Sequence, residues 1–238
     1  MTCVVAAKIS TGLLLIFLLS ACAKDPASLP ASTIPIDTSN KPKTYLALGD
    51  SYTIGQSVAA EQRFPVQVTA IISSQGILIN SPEIIAVTGW TTGSLLAALN
   101  NNPPTKTYDF VSLLIGVNNQ YQGRSKEEYK AEFSILLSKA INYAGGRSNR
   151  VFVLSIPDYS VTPFARNADT AAIAREIDAF NAINKQVTLQ SGITYLDITP
   201  ISREPDPALI ANDGLHPSAK QYKRWAELLA PLMKQVLE

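Results

Sequence analysis

From Lys43 onward the apolar positions fall into two alternating periods. Thr44 to Leu48 is a short, nearly continuous apolar run, the mark of a strand buried on both faces, and it stops at Gly49. Arg63 to Ser74 carries Phe64, Val68, Ile71 and Ile72 at helical spacing, with Pro65 admissible in the first turn. Ile77 to Val87 holds a second strand, Thr92 to Leu99 a short helix, and Tyr108 to Ile115 a strongly apolar third strand ending at Gly116. Ser125 with Glu128 three residues on reads as a capping box. The helix it opens runs to about Ala144, where Gly145-Gly146 stops it. Val151 to Ile156 is a fourth strand, ended by Pro157; Ala171 to Gln190 is a long helix; Ile193 to Ile198 is a fifth strand. Pro217 to Leu237 is the last helix.

Strands alternating with long helices imply an α/β chain with a mostly parallel sheet covered on both faces. Such sheets bind their ligands at the carboxyl ends of the strands. The residues of unusual chemistry in this chain sit at those ends.

The N-terminus has a different texture. Lys8 supplies a sparse positive region, Leu13 to Leu19 a short apolar one, and Leu19-Ser20-Ala21-Cys22 closes the segment with small residues before a cysteine. The apolar run is short for a membrane-spanning helix and reads as an export signal. Its ending resembles the bacterial lipoprotein box, which implies lipidation of Cys22 and a membrane anchor; a plain cleaved signal with an incidental cysteine is the other reading. Ala23 after the cysteine points by the same resemblance to the outer membrane, facing periplasm or cell surface. Residues 1–21 are thus expected to be a signal peptide, 22–42 a disordered tether rich in Ala, Ser, Thr and Pro, and 43–238 one domain. Cys3 and Cys22 are the only cysteines, and Cys3 leaves with the signal, so the mature chain is expected to have no disulfide.

The 20 basic and 19 acidic residues nearly cancel, which gives no electrostatic case for a nucleic-acid partner. A single histidine, with no cysteine in the mature chain beyond Cys22, argues against a zinc site, and no metal or cofactor is expected. Oligomeric state is not legible.

Four stretches carry the candidate chemistry. Gly49-Asp50-Ser51-Tyr52 follows strand one, Gly89-Trp90 strand two, and Gly116-Val117-Asn118-Asn119 strand three; Asp213-Gly214-Leu215-His216-Pro217 precedes the last helix. A serine at a strand end is usually an ordinary turn residue. It becomes a nucleophile only with a base, and His216 is the only histidine. Asp213 lies three residues before it, suited to accept the Nδ1 proton and leave Nε2 for a serine; the order Ser, Asp, His occurs among serine hydrolases. Asn118 can offer a side-chain amide to an oxyanion beside the N–H groups of Ser51 and Gly89, or can simply be a turn residue.

Together these four blocks resemble, in content and order, those of the SGNH (GDSL-type) hydrolases, over nearly all of residues 44–237. The resemblance implies a three-layer α/β/α sandwich with a five-stranded, mostly parallel sheet of flavodoxin-like type. It implies Ser51 as nucleophile, His216 as base oriented by Asp213, and an oxyanion hole of Ser51, Gly89 and Asn118. Tyr52 stands where the family name has leucine, and Asn119 where many members carry aspartate. Thr53 breaks any Gly-x-Ser-x-Gly pattern, which counts against the α/β-hydrolase elbow.

The resulting expectation is a serine esterase, with a lipase- or lysophospholipase-like substrate or, alternatively, an acetylated carbohydrate. A surface lipoprotein that binds glycan or lipid without catalysis is the rival class. Tyr52, Trp90, Asn119 and Tyr121 are candidate rim residues for an acyl groove or a sugar ring. The loop from Ser155 to Arg166 is expected to border the pocket, with Arg166 solvated.

Overall fold

The five apolar runs become five parallel strands of one sheet, in the order β2-β1-β3-β4-β5. The strands are β1 (Tyr45–Gly49), β2 (Glu83–Ala86), β3 (Phe110–Leu114), β4 (Val151–Leu154) and β5 (Thr194–Leu196) in the computed structural model, which describes residues 41–237. The expected leader, Cys22 and all of the tether but its last two residues lie outside the described residues. The three central strands are buried on both faces, which is why their sequences read as near-continuous apolar runs; Ser112 in β3 is buried with its hydroxyl paired to Tyr45 Oη at 2.7 Å.

Five longer helices surround the sheet: α2 (Phe64–Ser74), α3 (Thr92–Asn101), α5 (Lys126–Tyr143), α6 (Thr170–Gln190) and α8 (Ala219–Gln235). The β1–α2–β2 crossover runs one way across the sheet and the later crossovers run the other way. Right-handed connections therefore put α2 on one face and α3, α5 and α6 on the other. α8 packs on α2, while α5 contacts both α3 and α6, completing three layers.

The expected elements differ from the observed ones at their ends. β2 is much shorter than the stretch 77–87, because Pro82 has no N–H for a ladder; Ile79 keeps only an isolated parallel bridge to Lys43. Ser125 caps α5 by accepting from Glu128 N–H at 3.1 Å. The Glu128 carboxylate turns instead to Arg124 at 3.6 Å, so the reciprocal half of the box is replaced by an ion pair. α8 is capped by Ser218, one residue beyond Pro217. Three short helices were not foreseen: α1 (Ser51–Ile54), α4 (Val117–Tyr121) and α7 (Thr199–Ser202), each just past the carboxyl end of a strand.

The layer on the α2–α8 side is built around Trp225 of α8, which is fully buried. Its ring meets Tyr222, Phe64 and Tyr52 edge-on at centroid distances of 5.1, 6.0 and 6.4 Å. Tyr52 belongs to α1, so the short helix that begins at Ser51 is wedged against the aromatic core. Trp225→Ala is expected to cost about 3–5 kcal/mol in unfolding free energy, read as a lower midpoint in urea with an unchanged m-value.

Candidate active site

Ser51 is the first residue of α1, immediately beyond β1. The turn is tight. Gly49 pairs in register with Leu114, and a Cβ on it would lie 2.4 Å from the Leu114 carbonyl oxygen and 2.1 Å from Thr53 Oγ1. Only glycine lets the strand pass into α1 here. Asp50 caps the helix, its Oδ1 accepting from Tyr52 N–H at 3.0 Å.

Asp50 is buried, and its Oδ2 has no hydrogen-bond partner. Burial raises its carboxyl to about 7 against the pull of the Tyr52 N–H, its own N–H and the Gly116 N–H, the last facing it without closing a hydrogen bond of good geometry.

β3 leads through Gly116 into α4, whose first turn carries Asn118. Asn118 Nδ2 donates to the Trp90 carbonyl at 3.0 Å, which fixes the amide plane and leaves its second N–H free for the cleft. Gly89 lies on the adjoining loop with φ of 84°, a left-handed backbone that glycine adopts without strain.

The loop before α8 holds the third group. Asp213 Oδ2 lies 2.6 Å from His216 Nδ1, and its Oδ1 accepts from the N–H groups of Leu215 and His216 at 3.0 and 2.9 Å. The Ser57 hydroxyl also donates to Oδ2, at 2.6 Å. Partial burial pushes the Asp213 carboxyl up. The Ser57 bond, the two backbone N–H groups and the His216 ring outweigh it and hold the carboxyl well below the usual range.

Ser51, Gly89, Asn118 and His216 meet around one cleft of about 160 Å3. With Nδ1 committed to Asp213, Nε2 is the nitrogen His216 has left for the cleft. No hydrogen bond joins Ser51 Oγ to His216; contacts of this kind often tighten only in the complex with substrate. Thr88 adds a further polar group, and Val117, Tyr121, Tyr159, Phe164 and Leu215 supply the apolar wall of the cleft. No charged side chain lines the cleft among the described residues. Tyr121, Tyr159 and Phe164 stand in a triangle with ring centroids 6.1–6.3 Å apart, and Tyr121 and Phe164 are 60% and 50% exposed.

The four expected rim residues separate. Tyr121 stands on the wall. Tyr52 reaches the cleft but is buried, its ring 5.7 Å from His216 and turned against Trp225. Trp90 contributes its carbonyl, while its ring packs against the core outside the cleft lining.

Asn119 is not a rim residue. It is fully buried, accepting from Thr92 N–H at 3.0 Å and donating to Thr92 Oγ1 at 2.7 Å. It staples α4 to the start of α3, a task its amide can fill with both a donor and an acceptor.

Arg166 is exposed and borders a separate groove. The 155–166 loop does border the cleft, through Tyr159 and Phe164. Ser57, Thr88, Val117 and Leu215 were missed. Val117 and Leu215 lie inside the quoted blocks but were assigned no role, and Thr88 adjoins Gly89, so a window one residue wider would have found it; Ser57 gives no such signal.

An α/β/α sandwich with a serine, an asparagine amide and an aspartate-bound histidine on the carboxyl edge of its sheet defines the class of the SGNH hydrolases. The chain belongs to the GDSL-like lipase/acylhydrolase family, whose profile matches residues 47–224. A search of curated protein sequences returned no match. Among solved structures, the chain is similar to the lipase Lip_vut3 from a goat rumen metagenome, at 21% identity and a TM-score of 0.67, covering 82% of this chain and 100% of that one. It is similar to the acetylxylan esterase Axe2 from Geobacillus stearothermophilus at 18% identity and 0.61, covering 80% and 94%. The esterase EstA from Pseudoalteromonas sp. matches at 17% identity and 0.58, covering 82% and 98%. At these identities the likeness is one of fold.

The raised carboxyl of Asp50 has a consequence for stability. Its folded value, about 7, lies above the ordinary carboxyl range, so between about pH 4 and 7 the folded state binds more protons than the unfolded one. Stability therefore falls as pH rises through that window, by at most about 1.4 kcal/mol per unit. Asp50→Asn keeps a good cap and removes the titration. The stability of the variant relative to wild type should rise from pH 4 to 8 in denaturation series; a difference independent of pH would contradict this.

Proposed function

We propose that the chain is a carboxylic-ester hydrolase working through an acyl-serine at Ser51. The observation that carries this reading is the Asp213-bound His216 sharing one uncharged cleft with Ser51 and the Asn118 amide. His216 Nε2 takes the Ser51 proton as Oγ attacks the ester carbonyl, and Asp213 stabilises the imidazolium across Nδ1–H. The N–H groups of Ser51 and Gly89 and the free amide N–H of Asn118 receive the oxyanion. His216 then protonates the departing alkoxide and, in the second half, activates the water that releases the acid.

The apolar wall and the lack of charge support an ester with an uncharged, apolar portion beside the scissile bond, in keeping with a lipid-like acyl ester. A second reading, an acetylated carbohydrate, is favoured by the exposed faces of Tyr121 and Phe164, which suit stacking on a sugar ring. We also propose that the enzyme is held on the cell envelope through a lipid on Cys22, as the likeness of Leu19-Ser20-Ala21-Cys22 to the lipoprotein box implies; Cys22→Ala should then lose incorporation of labelled fatty acid and leave the membrane fraction.

Asn118→Ala is expected to lower kcat by about 10²–10³, and Ser51→Ala by considerably more. Fluorophosphonate should label wild type and not Ser51→Ala. Full activity of Ser51→Ala on a short aryl ester would refute the mechanism. A rate profile from acetyl to long acyl esters, run beside acetylated xylan, separates the two substrates.

A further inference from the structure

The acyl-serine chemistry asks for a base and an acid to orient it, yet the acid here has one contact more than its own loop supplies. Three of the four hydrogen bonds to Asp213 come from Leu215 and His216. The fourth, from Ser57, arrives from 156 residues away in sequence, on the loop that follows α1. Both the His216 ring and the Ser57 hydroxyl converge on Oδ2, each at 2.6 Å.

Ser57 has φ of 67°, and it is the one residue other than glycine with a left-handed backbone among the described residues. Glycine would follow the same path without strain. What glycine lacks is the hydroxyl, and the hydroxyl is what reaches Asp213. The loop around it is fixed at several points. The N–H groups of Gly55 and Gln56 bond the Ser51 carbonyl at 3.1 and 3.0 Å. Gln56 Oε1 accepts from Thr88 Oγ1 at 2.8 Å, next to Gly89. A single short segment thus ties together the stretches that carry Ser51, Gly89 and Asp213.

We propose that Ser57 is a positioning residue of the proton relay, its hydroxyl locking the rotation of the Asp213 carboxylate so that Oδ2 stays on His216 Nδ1. This rests on the acyl-serine reading of Ser51 and His216, which by itself assigns Ser57 nothing. Ser57 also couples the loop of the nucleophile to the loop of the base, so that their separation is set by a side chain as well as by the sheet. Ser57 is exposed, but an exchanging water in its place is neither a fixed donor to Oδ2 nor a tether between the two loops.

Loss of the Ser57 bond raises the proton affinity of Asp213, which then holds a charged imidazole more firmly. The other ionisable groups facing the pair are Tyr52 of α1, Tyr222 of α8, and Asp158 and Tyr159 of the loop after β4; Asp50 and Arg63 act on Tyr222 behind them. Asp158 is paired with Arg203 at 2.8 Å, and the three tyrosines are raised and stay neutral. Asp50 titrates in both variant and wild type, so a comparison between them isolates Ser57.

The chain has a single histidine, so in protein without a histidine tag its imidazole resonances need no assignment. Ser57→Gly should melt no lower than wild type, because the strain is relieved. Its kcat on a short aryl ester should fall about tenfold at unchanged KM. The NMR titration midpoint of the histidine and the acid limb of the kcat/KM profile should both move to higher pH. Ser57→Asn, which tolerates the left-handed backbone and brings a side-chain N–H, should recover part of each loss.

The proposal falls if Ser57→Gly keeps the wild-type kcat and histidine titration. It falls equally if the rate drops only together with the melting temperature while the titration stays put, which would make the role structural. If wild type turns over no ester and resists fluorophosphonate, the acyl-serine reading fails, and the histidine titration still decides whether Ser57 governs the pair.

Discussion

Every strand of this sheet runs in the same direction, so every strand end that carries a polar turn opens on one edge. The strand order reverses direction between β1 and β3, and the loops leaving those two strands are carried to opposite faces. The crevice between them is a consequence of connectivity, formed before any side chain is chosen. Ser51 leaves β1 and Asn118 follows β3, so the pair is brought together by the one place where the sheet cannot cover its own edge. The aspartate–histidine loop and the wall of Tyr159 and Phe164 then close on that crevice, tied to each other by the Phe164 N–H donating to the Gly214 carbonyl at 3.0 Å.

Two aspartates serve this edge in opposite electrostatic settings. Asp50 is buried beside the serine with one hydrogen bond of good geometry, and burial moves it toward neutrality. Asp213 is partly open to water and takes four donors, which keep it charged. Residue type is the same and position in the chemistry is not; the donors each carboxylate receives make the difference.

The long elements were legible because burial imposes its period on the sequence: α8 hides Tyr222, Trp225, Ala226, Leu229 and Met233, and these positions repeat as a helix requires. Short helices such as α1 and α4 span too few residues to show a period. The main blocks could be read because each is compact in sequence. Side-chain direction was harder. Asn118 and Asn119 are adjacent, yet successive residues of a helix point about 100° apart, so one faces the cleft and the other the core. Trp90 misled for a related reason, since its useful atom is a carbonyl that any residue could provide. Ser57 was beyond reach because its contact spans the chain and its backbone angle leaves no mark in the letters.

The outer strands of the sheet are stunted. β2 has four residues, preceded by Pro82 and opened by Glu83, which is paired with Lys106 at 3.0 Å; β5 has three. A strand from a neighbouring molecule would find a proline, a charge pair and almost no ladder to extend. Both margins therefore offer a passing strand little to pair with, which disfavours extension of the sheet from one copy into the next.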